Sequence, residues 1–124
     1  RKQGHVINIG STAGKDAYAN GNVYCGTKFA VDAITKSMRI DLLPHQIKVT
    51  AVNPGAAETE FSLVRFKGNA EKAKAVYNGI EALQADDIAE IVWFAASRPK
   101  HVVLNDIVVT PLAQANAMYI HRTV

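Results

Sequence analysis

The sequence lacks the features that mark several functional classes. Its single cysteine, Cys25, cannot form an internal disulfide, which is typical of a reducing compartment, so we expect a cytoplasmic protein. No apolar run reaches membrane-spanning length, so no membrane association is expected. The net charge is only +3 and no basic block occurs, so nucleic-acid binding is not expected. The 4 histidines lack the spacing of metal ligands, and we expect no metal site.

A glycine-rich phosphate-binding loop is also missing. No Gly-x-Gly-x-x-Gly occurs anywhere in the 124 residues. The stretch Gly10 to Asp16 is not a P-loop either, because its glycine spacing is one residue short and Asp16 follows Lys15 where a Ser or Thr is needed. The usual device for holding a dinucleotide diphosphate is therefore not among these residues.

Strand and helix patterns alternate along the chain in the order β-α-β-α-α-β. This order predicts an α/β fold, with a parallel sheet covered by helices on both faces. The predicted strands are Val6–Ile9, Ile47–Val52 and Asp106–Thr110; the predicted helices are Asn22–Leu43, short helices over 59–82 with a break at 66–69, and Asp87–Ser97.

The long helix has recognisable signals at both ends. Asn20 or Asn22 is expected to cap its start, and Pro44 is expected to stop it. An apolar stripe is formed by Ala30, Ile34, Met38 and Leu42. Cys25 is interpreted as a small apolar filler and not as a nucleophile.

Three polar residues near the first strand form a chemical constellation. Ser11 follows the strand, Tyr24 comes thirteen residues later, and Lys28 comes four residues after Tyr24. Helix positions four apart share a face, so Tyr24 and Lys28 can point the same way. A nearby cation favours a phenolate, and a tyrosine tuned in this way can exchange a proton with an alcohol or carbonyl oxygen. Ser11 can hold that oxygen, and a nicotinamide cofactor would supply the missing hydride.

Other side chains have weaker signals. Lys15, Asp16 and Tyr18 lie in the Gly- and Asn-rich loop over 13–22, where they either line a substrate mouth or are solvated. Arg65 could bind a substrate carboxylate in a bidentate fork, with a surface salt bridge as the alternative.

The whole stretch from Ser11 to Lys28 resembles the active-site segment of the short-chain dehydrogenase/reductase family. Asn53-Pro54-Gly55, predicted here to be the turn that ends the second strand, and Thr59 continue the resemblance toward the end of the chain. The segments INIGSTAG, TEFSLVRFKG and TPLAQANA are similar to the branch of NADP-dependent 3-hydroxy acid (serine or allo-threonine) dehydrogenases.

The resemblance implies a role for each matching residue. Tyr24 would be the acid and base, Lys28 would favour its phenolate and hold the nicotinamide ribose, and Ser11 would orient the substrate oxygen. Pro54, Gly55 and Ala57 would lie along the nicotinamide of NADP, with NAD as the alternative, and Thr59 would bond its carboxamide or diphosphate. Ala57 departs from the larger aliphatic residue that the family often has there.

The resemblance also implies a larger assembly. Residues 1–124 would be the C-terminal half of one Rossmann-like, doubly wound domain, and the glycine-rich turn and a proton-relay Asn would lie in an absent N-terminal half. We therefore expect the 124 residues alone to be inactive. The complete enzyme would be a homo-oligomer, a tetramer or dimer assembled partly through the long helix.

The expected reaction is the oxidation of a small 3-hydroxy acid by NADP, or its reversal from the 3-oxo form. Two alternatives stay open. One is a carbonyl reductase of another substrate class, such as larger ketones. The other is a non-catalytic NAD(P)-binding or scaffold relative, against which the intact Ser-Tyr-Lys trio argues.

Overall fold

A computed structural model describes residues 3–123. Within these residues, three strands and four helices follow the order β-α-β-α-α-α-β, which has one α more than the predicted order because the short helices expected over 59–82 are two separate ones. The elements are β1 (Gly4–Ile9), a 3-10 turn (Thr12–Gly14), α1 (Asn22–Asp41), a 3-10 turn (Leu43–His45), β2 (Ile47–Pro54), α2 (Glu60–Arg65), α3 (Ala70–Ala75), α4 (Ala85–Ala96) and β3 (Asp106–Val109).

The strands form one parallel sheet in the order β1-β2-β3. Val6 pairs with Val49 in the first ladder, and Ala51 pairs with Asp106 in the second. The central strand β2 is the most buried, as its run of β-branched residues favours. The predicted α/β fold with a parallel sheet is confirmed.

Helices cover both faces of this sheet. Asn8 of β1 donates to the Thr35 hydroxyl of α1 at 2.9 Å, which places α1 on one face. Side chains of a strand alternate between faces, and Lys48 of β2 lies on the other. Its ammonium donates to the carbonyl oxygens of Arg98 and Pro99 at 3.0 and 2.7 Å, just beyond the end of α4. Helices α1 and α4 therefore lie on opposite faces, as a doubly wound sheet requires.

Helix α1 differs from its prediction at its start and in the face that it buries. Its N-cap is Gly21, so neither Asn20 nor Asn22 occupies the cap position, although the Asn22 side chain accepts from the Val23 amide of the first turn at 2.7 Å. The buried positions are Cys25 and Thr35, while Ile34 of the predicted stripe is 55% exposed. The inward face is set by contacts with β1 and β2, where Thr35 pairs with Asn8. The expected burial of Cys25 is confirmed.

The other differences concern where elements begin and end. Strand β2 does not end at Val52 but continues through Pro54, because β3 pairs with Asn53 and Pro54. Asn-Pro-Gly is therefore not simply the turn after the strand. Helix α4 begins at Ala85, two residues before the predicted start at Asp87. The Asp87 carboxylate instead accepts from the backbone amide of Gln84 at 2.7 Å, as part of a capping box.

The carboxyl ends of all three strands meet at one edge of the sheet. The amide of Gly10 donates to the Val52 carbonyl at 2.8 Å, and the amide of Gly55 donates to the Val109 carbonyl at 2.8 Å. Ligands of open α/β sheets bind at this edge, so the fold places Ser11 and the Pro54–Ala57 segment where a ligand is expected. Among residues 3–123, no helix combines the length and apolar character needed to cross a membrane.

Candidate active site

One cavity of about 500 Å³ brings the predicted site residues together. Its volume is within the range of about 300–1,000 Å³ that is common for small-molecule sites. The lining includes every residue assigned a catalytic, cofactor or substrate role from the sequence: Ser11, Tyr24, Lys28, Pro54, Gly55, Ala57, Thr59 and Arg65. Residues from several segments of the sequence therefore meet at a single place in the fold.

Ser11 is held in position by the backbone that follows it. It is the N-cap of the 3-10 turn, and its Oγ accepts a hydrogen bond from the Ala13 amide at 3.1 Å. The side chain is buried at the cavity wall. Because that bond uses only an acceptor site, the hydroxyl hydrogen is free to donate to a substrate oxygen.

Tyr24 and Lys28 lie one turn apart on α1 and both face the cavity. The Lys28 ammonium is 5.9 Å from the centroid of the Tyr24 ring and donates to the Ile9 carbonyl at 3.2 Å. The other side of the ring packs against Phe61, at a centroid distance of 5.4 Å. The phenol is thus fixed by an aromatic neighbour while a cation stands beside it.

The serine turn packs directly on the helix turn that carries the lysine. A Cβ built on Gly14 would lie 2.7 Å from the backbone oxygen of Lys28, a distance that real Cβ atoms essentially never show. Only glycine permits this approach. Gly14 therefore sets the distance between the Ser11 turn and α1.

The segment Pro54–Ala57 forms the opposite wall and is anchored from three directions. Leu83 donates its amide to the Ala56 carbonyl at 3.0 Å. The Ala56 amide donates to the Gln114 side-chain oxygen at 2.8 Å. The Tyr77 hydroxyl donates to the Ala57 carbonyl at 2.9 Å. Thr59 follows this wall and uses its Oγ to cap α2, accepting from Phe61 at 3.2 Å.

Gln114 and Tyr77 are the functional-site residues that sequence reasoning missed. Gln114 is buried, lines the cavity, and lies within the TPLAQANA segment used only for the resemblance. The signal available in the sequence was a side-chain amide just beyond the carboxyl end of the last predicted strand. Tyr77 also lines the cavity, and its hydroxyl is 2.6 Å from that of Ser62. No local pattern distinguishes Tyr77 from an ordinary core residue.

Arg65, at the end of α2, stands beside the Tyr24 ring. Its guanidinium carbon is 5.9 Å from the Tyr24 ring centroid and 5.8 Å from that of Phe66. Among the described residues, Arg65 forms no salt bridge, so the surface ion pair considered from the sequence does not form there. Its fork is available to an anion in the cavity.

The loop before α1 contributes one of its three candidates to the cavity. Tyr18 lines it, and burial raises the pKa of this phenol, while the neighbouring Arg65 opposes that rise. Lys15 and Asp16 are not part of the lining. Lys15 instead forms ion pairs with Asp32 and Asp106, so it is neither part of this cavity's wall nor a freely solvated side chain.

A second, larger cavity of about 890 Å³ lies between α4 and the C-terminal segment. It contains none of Ser11, Tyr24 and Lys28, so its size does not make it the reactive site. We place the candidate active site in the smaller cavity because its groups can exchange a proton with an oxygen atom.

The cavity suits the nicotinamide end of a dinucleotide. Small residues such as Gly10, Ala13 and Ala56 let a flat ring approach the backbone, while Lys28 and Thr59 offer donors for hydroxyl or phosphate oxygens. The Gly-x-Gly-x-x-Gly turn that usually holds the diphosphate does not occur in the sequence. Across residues 3–123, no group of three His, Cys, Asp or Glu side chains is arranged to hold a metal ion.

Comparison with known proteins identifies relatives of one family. The family described as short chain dehydrogenase matches residues 1–85. The NADP-dependent 3-hydroxy acid dehydrogenase of Schizosaccharomyces pombe is 41% identical over 122 residues, which cover 98% of this chain and 47% of that protein. The NADP-dependent 3-hydroxy acid dehydrogenase YdfG of Salmonella typhi is 46% identical over 125 residues, covering 99% of this chain and 50% of that protein.

Solved structures are similar over the same span. A closed form of serine dehydrogenase complexed with NADP+ has a TM-score of 0.91 and 43% identity, covering 99% of this chain and 50% of that one. Serine dehydrogenase from Escherichia coli has a TM-score of 0.72 and 34% identity, covering 93% of this chain and 43% of that one. The Rossmann-like fold is thereby confirmed. The chain spans about half the length of the curated relatives that it matches.

Proposed function

We propose that this chain, which belongs to the short-chain dehydrogenase family, carries the catalytic residues of an oxidoreductase that exchanges hydride between NADP and a small 3-hydroxy acid or its 3-oxo form. The observation that carries the proposal is the single cavity lined by Ser11, Tyr24 and Lys28, facing the Pro54–Ala57 wall. A scaffold protein would have no use for that trio in a cavity.

The proton chemistry follows from the side chains. In the oxidative direction the Tyr24 phenolate takes the proton of the substrate hydroxyl as the C–O bond becomes a carbonyl. Ser11 donates a hydrogen bond to the same oxygen, and the Lys28 ammonium favours the phenolate by its charge. When bound, the nicotinamide ring supplies the complementary chemistry by accepting the hydride. In reduction Tyr24 returns the proton to the carbonyl oxygen.

The assignment of NADP to the cavity rests on the wall and its donors. Pro54, Gly55 and Ala57 present backbone and small side chains along a flat surface for the nicotinamide. We assign the Lys28 ammonium to the ribose and the Thr59 hydroxyl to the carboxamide or diphosphate, because both side chains line the same cavity. The names of two relatives specify NADP, which supports NADP over NAD here.

The substrate class rests on Arg65. Its guanidinium lies beside the Tyr24 ring at 5.9 Å and is exposed, so it can pair with a carboxylate while the hydroxyl of the same small molecule reaches Tyr24. A 3-hydroxy acid has these two groups at a short separation. The names of the relatives support the same class.

The enzyme is further proposed to be a cytoplasmic homo-oligomer, a tetramer or a dimer. Helix α1 supports the assembly, because Val23 and Ile34 share one of its faces and are 75% and 55% exposed, and exposed apolar surface of this kind often marks protein contacts. The lone cysteine supports the reducing compartment.

The proposal is tested with the complete enzyme and NADP(H). A panel of 3-hydroxy acids, matched neutral alcohols and bulky ketones is assayed for cofactor reduction or oxidation. Tyr24→Phe should lower turnover by roughly 100- to 10,000-fold, the usual contribution of a positioned acid or base. Its thermal melt should barely change, because only a hydroxyl is lost and the contact with Phe61 stays.

Three outcomes would count against the proposal. A Tyr24→Phe variant that keeps a sizeable share of the activity would remove Tyr24 from its role. Preference for bulky ketones over every hydroxy acid would instead support the carbonyl reductase. No turnover of any substrate, with NADPH still bound, would favour a non-catalytic relative.

A further inference from the structure

Lys15 is the centre of an ion network that the proposed reaction does not use directly. Its ammonium lies 2.6 Å from Asp32 Oδ1 on α1 and 2.7 Å from Asp106 Oδ2 at the start of β3. Burial by itself would lower the pKa of Lys15, but the hydrogen bonds from its ammonium to Asp106 and Asp32 outweigh burial and raise the pKa. Lys15 is thus a firmly charged group between the serine turn, the active-site helix and the sheet.

The network is tied to the catalytic turn on the side of the serine. Lys15 directly follows the 3-10 turn, and its amide donates to the Thr12 carbonyl at 2.9 Å. On the other side, Asp106 Oδ1 accepts from the Asn53 side chain at 2.6 Å. The ion pairs therefore join the ends of β1 and β2 to α1 at the edge where the cavity opens.

Asp32 has a particular position with respect to the catalytic lysine. It lies one helical turn after Lys28, where side chains four apart are neighbours on the helix surface. Both of its oxygens are already occupied, Oδ1 by Lys15 and Oδ2 by Lys36 at 2.7 Å. Hydrogen bonds from these two lysines lower the pKa of Asp32. Lys28 does not pair with it and donates to the Ile9 carbonyl instead.

We propose that Lys15 is a positioning residue that keeps the Lys28 ammonium available to Tyr24 by occupying Asp32, and that holds the serine turn on α1. The inference rests on the proposed function, because it assigns a use to the charge beside Tyr24. Without Lys15, Asp32 Oδ1 has no partner although its side chain is only 15% exposed. The poorly solvated carboxylate, left with Lys36 alone on Oδ2, then draws the ammonium one turn before it on α1, which is that of Lys28.

The charged groups around the phenol make the effect specific. Lys28 faces Tyr24 from α1, Arg65 faces it from α2, and Tyr18 approaches from the loop. Asp32, on α1, is paired with Lys15 of the loop and with Lys36 one turn further along α1. Pairing of Lys28 with Asp32 leaves Arg65 as the one uncompensated cation beside the phenol among the described residues. The phenolate is then favoured less.

The experiment measures kcat/KM for alcohol oxidation by the complete enzyme as a function of pH. Lys15→Met is expected to move the midpoint of the pH–rate profile upward by about one unit, the low end of the effect of a nearby charge. At a pH below the midpoint, this shift lowers kcat/KM about tenfold. Asp32→Asn added to Lys15→Met should return the midpoint to its original pH, because an amide does not capture Lys28.

Two further variants separate the charge effect from other losses. Lys15→Arg keeps the cation and should keep the midpoint. Lys74→Met removes one positive charge from an exposed position on α3 and should leave the profile unchanged. If Lys15→Met does not fold, Lys15→Gln is measured instead, because its amide can donate to Asp32 without carrying charge.

A second readout does not require turnover. The near-ultraviolet absorbance of tyrosinate is titrated in enzymes with and without Tyr24→Phe, and the difference reports the ionisation of Tyr24. If Lys15→Met shifts the midpoint of this ionisation and Asp32→Asn reverses the shift, the inference is supported even when no hydroxy acid is oxidised. A lack of hydroxy acid oxidation counts only against the proposed function. The inference would be overturned if the midpoint did not move in Lys15→Met, or if Asp32→Asn left the loss of kcat/KM in place.

Discussion

Replacing Gly14 by alanine tests whether the site depends on the contact between the serine turn and α1. The added Cβ would lie 2.7 Å from the Lys28 backbone oxygen, whereas ordinary contacts begin at 3.4 Å, so the two backbones must separate by about 0.7 Å. The Lys28 carbonyl belongs to the interior of α1, so the turn must give way. The Gly14 amide donates to the Ser11 carbonyl at 2.9 Å, so Ser11 moves with it.

The expected cost is both catalytic and structural. A misplacement of about 1 Å can cost about 100-fold in rate, so a shift somewhat below that predicts a loss of roughly 10- to 100-fold in kcat/KM for Gly14→Ala. Overpacking of this kind costs about 1–3 kcal/mol of stability. Steady-state kinetics and chemical denaturation of the complete enzyme measure the two effects.

Gly26→Ala, on α1, is the matched control. A Cβ at Gly26 meets no heavy atom of the described chain within 4 Å. The same chemical change should therefore leave kcat/KM unchanged and can stabilise the helix by up to about 1 kcal/mol, the difference in helix propensity between the two residues. Wild-type kinetics for Gly14→Ala would refute the reasoning that this contact positions Ser11.

Three further changes have specific expected results. Arg65→Lys should raise KM for hydroxy acids, because lysine lacks the planar fork, and leave neutral alcohols little affected; equal losses on both would make Arg65 structural. Tyr77→Phe removes the hydrogen bond to the Ala57 carbonyl, so denaturation should show a loss of about 1 kcal/mol and NADPH titration a weaker affinity; unchanged binding would show that the wall does not need this anchor. The pKa of Asp32 is lower in the folded protein, so its ion pairs add stability that is present above the unfolded pKa of about 3.9 and is lost as the pH falls through the folded pKa. The melting temperature of Asp32→Asn should therefore fall less steeply at acid pH than that of the wild type. An equal slope for the two proteins would contradict this.

The sequence alone determined the reactive constellation and the order of the elements. Ser11 follows a strand and Lys28 follows Tyr24 by four residues, and both relations are local. A strand ends at a sheet edge, and a helix repeats its face about every four residues, wherever the rest of the chain lies. For the same reason the alternation of strands and helices predicted a parallel sheet that the structure contains.

The tertiary structure decided which faces are buried and which distant groups meet. The apolar stripe through Ile34 pointed to the wrong face of α1, because the partner of the helix is the sheet and the Asn8–Thr35 bond sets its rotation. The extension of β2 through Pro54 depends on pairing with β3, some fifty residues later in the sequence. Neither partner is visible in a local pattern.

The residues that support the site were the least predictable. Gln114 reaches Ala56 across 58 positions, and Lys15 reaches Asp106 across 91. Each is an ordinary polar residue in its own segment and acquires a role only when folding brings its partner within hydrogen-bond distance. Local periodicity could therefore place the reacting groups, whereas the side chains that hold them depend on the packing of the sheet, the helices and the C-terminal segment together.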